Sequence, residues 1–130
     1  MEKGKKFREC NEEERKALAH GYRIKFEGRT PILVIPQGFK EDVHIMEVYL
    51  VEKDKNIVFF MHQLRQKNKL TLTPYEGLYL IIKSNNKEVI PMMSQTIGEL
   101  DKKYSDDGFL TIYLCKENCF GLCKIHFSDR

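Results

Sequence analysis

The sequence predicts an α+β domain with a mixed four-stranded sheet, and three observations lead to this fold class. Short apolar runs with the length of strands lie at 32–35, 45–51, 78–82 and 109–114. Helical patterns separate the second run from the third and the third from the fourth. A hairpin followed by helical crossovers can return the chain to one sheet, because such connections are right-handed.

Composition and charge narrow the function before any motif is considered. The chain has 130 residues, 42% of them hydrophobic and 32% charged, which suits one globular domain. Its net charge of +3 is far below the basic excess of a dedicated nucleic-acid binder, so we expect no nucleic-acid partner. The longest unbroken apolar runs, 57–61 and 78–82, are much shorter than the roughly 20 residues that span a bilayer. The amino end has no apolar stretch typical of a secretory signal, and we expect a cytoplasmic protein.

Residues 1–28 are interpreted as a helical extension ahead of the sheet. Asn11 is a favourable N-cap, and the glutamates at 12–14 lie near the positive end of the helix dipole. Gly21 is expected to end or bend this helix, and the pair at 27–28 breaks the chain again before the first strand.

The first two apolar runs predict a hairpin. Pro31 and Pro36 bound the run 32–35, whose β-branched residues favour a buried strand. The run 45–51 alternates, with Glu47 exposed, and should pair antiparallel with the first strand as a wide hairpin at a sheet edge.

The next segment predicts a helix and a strand. Asn56 is the expected N-cap, and the helix carries apolar residues at i, i+3, i+4 and i+7, namely Ile57, Phe60, Met61 and Leu64. The run 78–82 is apolar without alternation, which places it in the centre of the sheet, and 84–87 is the turn behind it.

The last segment predicts a short helix and the final strand. Thr96 and Glu99 have the spacing of a capping box, and 105–108 should stop the helix. In the run 109–114 one alternating face is expected to be buried, and it consists of Leu110, Ile112 and Leu114.

The sequence offers little for catalysis. It contains no Gly-rich phosphate loop and no Gly-x-Ser-x-Gly turn, so we expect no enzyme and no cofactor. The four histidines, His20, His44, His62 and His126, are scattered and are interpreted as structural or incidental.

A cysteine cluster near the carboxyl end leaves one alternative open. Cys115, Cys119, Cys123 and His126 could surround zinc, but their spacing differs from that of structural zinc sites. We expect reduced surface thiols and no metal.

Four stretches carry a resemblance to a known family: Arg29–Val34, Tyr49–Val51, Asp107–Leu110 and Glu117–Gly121. With these stretches, the chain from about Phe7 to Gly121 resembles the autophagy ubiquitin-like modifiers, the family of GABARAP and the microtubule-associated light chains. The resemblance implies a β-grasp (ubiquitin-like) fold, with the mixed four-stranded sheet preceded by two extra N-terminal helices.

The resemblance also implies proteolytic processing and conjugation to a lipid. It divides the chain into a helical extension at 1–28, a ubiquitin-like domain at 29–121 and a propeptide at 122–130. An autophagy cysteine protease would cut after Gly121, and activating and conjugating enzymes would join the new carboxylate to phosphatidylethanolamine. Glycine suits this role because it enters narrow channels in conformations that other residues cannot reach. The modifier would be a monomer and would reach the autophagosome membrane when lipidated; a β-grasp interaction domain that is never conjugated is the alternative.

The resemblance further implies a groove for cargo receptors with aromatic-x-x-aliphatic motifs, which bind by strand addition to the second strand. The aromatic pocket would use Leu18, Tyr22, Pro31, Leu50 and Phe109. The aliphatic pocket would use Tyr49, Val51 and Phe60, and acidic partner residues would meet Arg29, Arg65 and Lys67. Each of these pocket residues could instead be plain core, and that alternative is favoured for Phe60 and Phe109, since the floor of a pocket is also core surface.

The sequence departs from the family beside this groove. Met46 and Val48 replace residues that are usually basic, and Lys55 and Gln63 replace residues that are usually apolar. The loss of two cations near the groove removes charge attraction, so acidic partner motifs should bind less well and apolar anchors should matter relatively more than in the family.

Overall fold

A five-stranded mixed sheet with three helices forms the computed structural model, which describes residues 10–39, 45–70, 76–84 and 86–118. Within these ranges no helix combines the length and the apolar content that crossing a bilayer requires. The elements in chain order are α1 (Glu12–Lys25), β1 (Arg29–Gln37), β2 (Val48–Glu52), α2 (Ile57–Lys67), β3 (Glu76–Ser84), β4 (Lys87–Val89), α3 (Ile97–Tyr104) and β5 (Leu110–Asn118).

The strand order is β2-β1-β5-β3-β4. β1 and β5 pair in parallel, and the other neighbours pair antiparallel, so the predicted α+β class and mixed sheet are confirmed. β2 lies at an edge, as predicted. The central strand is β5, whereas β3 lies between β5 and the short β4.

The expected number of four strands is wrong by one. β4 covers only Lys87–Val89 and pairs with the end of β3 through a tight connection in which Asn86 has a φ of 66°. A strand of three mostly polar residues is too short to show an alternation of apolar and polar side chains. Asparagine also tolerates a positive φ, so the sequence of this segment is typical of a turn and did not reveal the strand.

The main core lies between the sheet and the helices α2 and α3. The predicted stripe of α2 supplies Ile57, Phe60 and Leu64, all completely buried. The caps predicted at Asn56 and Thr96 are present: each side chain accepts a hydrogen bond from a backbone N–H in the first turn of its helix. The alternating face of β5 is buried against these helices.

α1 covers part of the opposite face of the sheet. Its Ala19 packs with Leu33 and Phe109, and Leu33 points away from the main core because it alternates with Ile32 and Val34. The approach is close, since a Cβ added to Gly108 would lie 2.6 Å from the Ala19 Cβ.

The expectation that Gly21 ends or bends α1 is wrong in that the helix continues to Lys25. Glycine costs a helix about 1 kcal/mol, and the packing of Ala19 and Tyr22 on the sheet offsets that cost. Residues 10–28 thus contain one helix, and a second N-terminal helix would have to lie in residues 1–9, outside the described ranges.

A buried carboxylate joins α1 to the rest of the domain. Asp101 of α3 is 8% exposed and accepts two hydrogen bonds from Arg23 of α1, at 3.0 and 2.8 Å. Thr30 and Ser105 also donate to it, and Lys53 Nζ lies 3.5 Å away. Arg23 donates in addition to the Gly108 carbonyl, at 3.0 and 2.7 Å.

The network holds the Asp101 carboxylate ionised. Burial on its own raises the pKa of Asp101, but the hydrogen bonds from Arg23, Ser105 and Thr30 and the charge of Arg23 lower that pKa to about 2. The usual value is 3.8. The unfolded chain therefore takes up a proton at a higher pH than the folded chain.

The replacement Asp101→Asn should lower the free energy of unfolding by about 2–3 kcal/mol, because it leaves the Arg23 guanidinium without its anion. In the wild type the Asp101 contribution should be complete above about pH 5, decrease as the pH falls through 3.8, and be lost as the pH falls through about 2. The free energy of unfolding, measured with urea at several pH values in this range, should decrease as the pH falls. Asp101→Asn should reduce this dependence on pH, whereas the control Asp54→Asn, at an exposed position, should preserve it. Equal pH profiles for wild type and Asp101→Asn would contradict this account.

Candidate functional site

The outer edge of β2 presents backbone groups that no described strand uses. Val34 N–H donates to the Glu47 carbonyl and Lys53 N–H to the Gly28 carbonyl, which fixes the hydrogen-bonded pairs of the β1–β2 ladder. Hydrogen-bonded and non-hydrogen-bonded pairs alternate along this ladder, and the non-hydrogen-bonded pairs include Leu33 with Val48 and Pro31 with Leu50. The N–H and C=O groups of Val48 and Leu50 therefore point outward.

An apolar surface lies on the α1 side of this edge. Leu18 is 38% exposed, and Tyr22 and Leu50 are half-buried. Val48 and Tyr22 pack against the same cluster, and Leu50 shares the face of Val48 because the two are separated by one residue. Pro31 is buried directly opposite Leu50.

Phe109 differs from the other residues predicted for this surface. It is 2% exposed, packs with Ala19 and Leu33, and meets the Tyr22 ring edge-on at a centroid distance of 6.3 Å. A partner cannot contact it without a rearrangement. Phe109 thus belongs to the core beneath the surface, which is the alternative left open for it.

The residues predicted for the aliphatic pocket lie on the other face of β2 and belong to the main core. Tyr49 is 3% exposed, Val51 2% and Phe60 0%, and the Tyr49 and Phe60 rings meet edge-on at 5.7 Å. Their burial leaves almost no area for direct contact. The reason is that α2 packs over these side chains.

The rim of that region consists of the polar residues that depart from the family pattern. Lys55 Nζ lies 5.0 Å from the Phe59 ring centroid and 3.7 Å from Glu52. The amide oxygen of Gln63 is buried and has no hydrogen-bond partner among the described residues. Gln63 follows Phe60 by three residues and shares its side of α2.

The three predicted acid contacts are placed differently from one another. Arg29 is paired with Glu52 at 3.9 Å, and Lys67 is exposed four residues after Gln63 on the same flank of α2. Arg65 lies on the opposite flank, where it lines a depression with Val58 and Met93. This placement separates Arg65 from the other predicted groove residues, and its role as an acid contact stays a prediction.

Asn68 is a positioning residue that the sequence analysis missed. Its Nδ2 donates to the Tyr49 hydroxyl at 2.5 Å and to the Leu64 carbonyl at 2.9 Å, while its Oδ1 accepts from Met46 N–H at 2.9 Å. Burial raises the pKa of Tyr49, and the hydrogen bond from Asn68 acts in the opposite direction. Asn68 thus ties the end of α2 to the start of β2.

The cysteine alternative falls mostly outside the described residues. Cys115 is buried on β5, with its thiol 3.6 Å from the Gln37 amide oxygen. Within the described ranges no group of three His, Cys, Asp or Glu side chains could hold a metal. Cys119, Cys123, His126 and the glycine at 121 lie beyond them.

A sheet of this order, with a parallel central pair and an exposed edge strand, defines the class of ubiquitin-like proteins. The fold is shared with the crystal structure of Trypanosoma brucei ATG8, at a TM-score of 0.66 and 25% identity over 92% of this chain and all of that one. It is also shared with Plasmodium falciparum Atg8 in complex with a Plasmodium falciparum Atg3 peptide, at a TM-score of 0.64 and 22% identity over 82% of this chain and 90% of that one.

The chain belongs to the Atg8 family of autophagy proteins. Residues 14–121 match the family model described as autophagy protein Atg8 ubiquitin like. The chain is 30% identical to autophagy-related protein 8 of Emericella nidulans over 114 residues, covering 85% of this chain and 91% of that protein. The same protein from Cochliobolus heterostrophus is 30% identical over 112 residues, covering 84% and 88%. The expected family is confirmed: the chain is a ubiquitin-like modifier and not an enzyme.

The replacement Asn68→Ala should loosen the start of β2 without unfolding α2. The Met46 amide loses its acceptor and the Tyr49 hydroxyl its donor, so we expect faster hydrogen exchange at Met46 and a stability loss of about 1 kcal/mol. Gln66→Ala, in the same helical turn but exposed, is the control and should leave that exchange rate unchanged. An unchanged Met46 rate in Asn68→Ala would show that Asn68 does not position β2.

Proposed function

We propose that this chain is a conjugated autophagy modifier that recruits partner proteins through the edge of β2. The observation that carries the proposal is the outward-facing backbone of Val48 and Leu50, bordered by apolar side chains. A peptide that adds as a further strand would satisfy these groups, and its alternate side chains would reach the two faces of β2. The Plasmodium neighbour is in complex with an Atg3 peptide, which supports peptide binding by this fold.

The aromatic side chain of such a peptide would contact Leu18, Tyr22 and Leu50, with Pro31 and Phe109 below them. The aliphatic side chain would contact the rim at Lys55 and Gln63, with Tyr49, Val51 and Phe60 forming the floor. Lys67, and Arg29 where Glu52 releases it, would meet acidic partner residues. Cargo receptors with aromatic-x-x-aliphatic motifs fit this arrangement.

The second part of the proposal concerns the carboxyl end. The family match ends at residue 121, which supports cleavage after Gly121 and a propeptide at 122–130. An autophagy cysteine protease, an activating enzyme and a conjugating enzyme would then join the Gly121 carboxylate to phosphatidylethanolamine. Two acyl chains give stable anchoring where one gives only marginal binding, so the modifier would move from the cytoplasm to the autophagosome membrane.

A peptide with an aromatic-x-x-aliphatic motif should bind the full chain with micromolar affinity. Leu50→Ala should weaken binding about tenfold, because a partly exposed anchor is truncated. Methylation of the peptide amides that face β2 should weaken it as well. Val58→Ser, which removes exposed apolar area on the far flank of α2, is the matched control for titration calorimetry. Absent binding, or binding indifferent to Leu50→Ala, would remove the groove assignment.

The cellular form of the protein tests the conjugation step. Intact-mass measurement before and after lipid extraction should find a chain that ends at Gly121, part of it carrying phosphatidylethanolamine. Gly121→Ala should block processing, whereas replacing Cys119 and Cys123 with serine should leave conjugation intact. A mature chain that still ends at Arg130 and never carries lipid would support the alternative of a non-conjugated interaction domain.

A further inference from the structure

A second surface, on the solvent-facing side of α2, is apolar and open. We call it the α2 depression; it has a volume of about 580 Å³, and its apolar lining consists of Val58, Phe59, Met61 and Met93. Val58 is 54% exposed, Phe59 38% and Met93 49%. The groove at β2 uses none of these side chains.

The α2 depression is also cationic at its rim. Its remaining lining residues are Asn56, His62 and Arg65, so no carboxylate lies in the lining. Arg65 is exposed and forms no ion pair with a described carboxylate. Lys55 Nζ lies 5.0 Å from the ring centroid of Phe59 but also 3.7 Å from a Glu52 carboxylate oxygen, so Arg65 is the main cation of this surface.

We propose that the α2 depression docks an amphipathic helix of a partner protein, one that carries carboxylates beside its apolar stripe. The flank of a helix has no free backbone groups, so the partner must bind through side chains, and an apolar stripe at i, i+3, i+4 and i+7 is the form that fits such a surface. Methionine suits this contact because its side chain adapts to different apolar shapes. The partner's carboxylates pair with Arg65.

Two other occupants fit the surface less well. A second copy of this chain would bring Arg65 and Lys55 toward their own counterparts, and like charges disfavour that contact. A membrane is attracted mainly by clustered Lys and Arg, whereas the described lining of this surface contains Arg65 as its single Lys or Arg residue. The inference goes beyond the proposed groove and does not depend on it.

The test uses the full chain and three synthetic amphipathic helices that share one apolar stripe and carry Glu, Gln or Lys at every flanking position. We expect the Glu peptide to bind most tightly and the Lys peptide most weakly, by fluorescence anisotropy. Phe59→Ser and, separately, Val58→Ser should each weaken the Glu peptide about tenfold. Arg65→Gln should reduce the preference for Glu over Gln.

Matched controls separate this surface from the groove and from simple loss of exposed apolar area. Ile24→Ser removes an apolar side chain that is 64% exposed on α1, and Leu50→Ala alters the groove; neither should change binding of the Glu peptide. Because Val58 is mostly exposed, Val58→Ser keeps the test valid if Phe59→Ser proves unstable.

Several outcomes overturn the proposal. Equal binding of the three peptides removes the charge argument, and binding lost in Leu50→Ala assigns the peptide to the groove. If sedimentation velocity shows a dimer of the wild type and a monomer of Val58→Ser, a second copy of the chain is the occupant. Phe59-dependent binding to vesicles of phosphatidylcholine and phosphatidylserine, without peptide binding, makes a membrane the occupant.

Discussion

The buried carboxylate of Asp101 is the constraint on which the arrangement of this molecule depends. It lies in α3, yet the side chains that donate hydrogen bonds to it or pair with its charge come from α1, from β1, from the segment after β2 and from the residue after α3. An ionised group with so little exposure is tolerated only when its hydrogen bonds are satisfied. Satisfying it fixes α1 against the sheet, and α1 in turn forms one wall beside the β2 edge.

The length and the two ends of β2 restrict what its open edge can pair with. A strand edge with free N–H and C=O groups is a liability, because it can pair with any extended chain. Here β2 is only five residues long and is tied at its start by Asn68 and at its end by the pair of Lys53 with Gly28. The edge is therefore short and rigid, which limits pairing to segments that also satisfy the side-chain surfaces.

Local chemistry made much of the fold predictable. The caps at Asn11, Asn56 and Thr96, the α2 stripe and the alternation in β5 depend on neighbours within a few residues, and the structure contains all of them. The edge position of β2 is as predicted, although Glu47, which was expected to be exposed, is partly buried and lies just before the strand. From that position and the family resemblance, the strand that carries the candidate groove could be chosen before the structure was known.

Long-range geometry explains what the sequence did not reveal. Arg23 and Asp101 are 78 positions apart, and nothing near either residue indicates the other. In the sequence, Arg65 and Lys67 look equivalent because both are cations near the end of α2. They are two positions apart, which is a rotation of more than half a turn around the helix axis. The placement of Met93 then shows which surface Arg65 faces. The burial of Tyr49, Val51 and Phe60 likewise depends on how closely α2 approaches β2.

The two prolines of β1 have a consequence for how the sheet finds its alignment. Pro31 lies at a position whose nitrogen faces away from β2, and β5 begins one residue later, opposite Ile32. Pro36 is an odd number of positions from Pro31, so its nitrogen faces the other edge of β1, toward β2. It lies beyond the last hydrogen bond of the β1–β2 ladder, which is at Val34. Neither missing donor costs a bond in the native alignment. A one-residue slip of this hairpin turns over one of its two strands. If that strand is β1, the nitrogen of Pro31 faces β2 and a ladder bond is lost, so the prolines select against that misaligned hairpin.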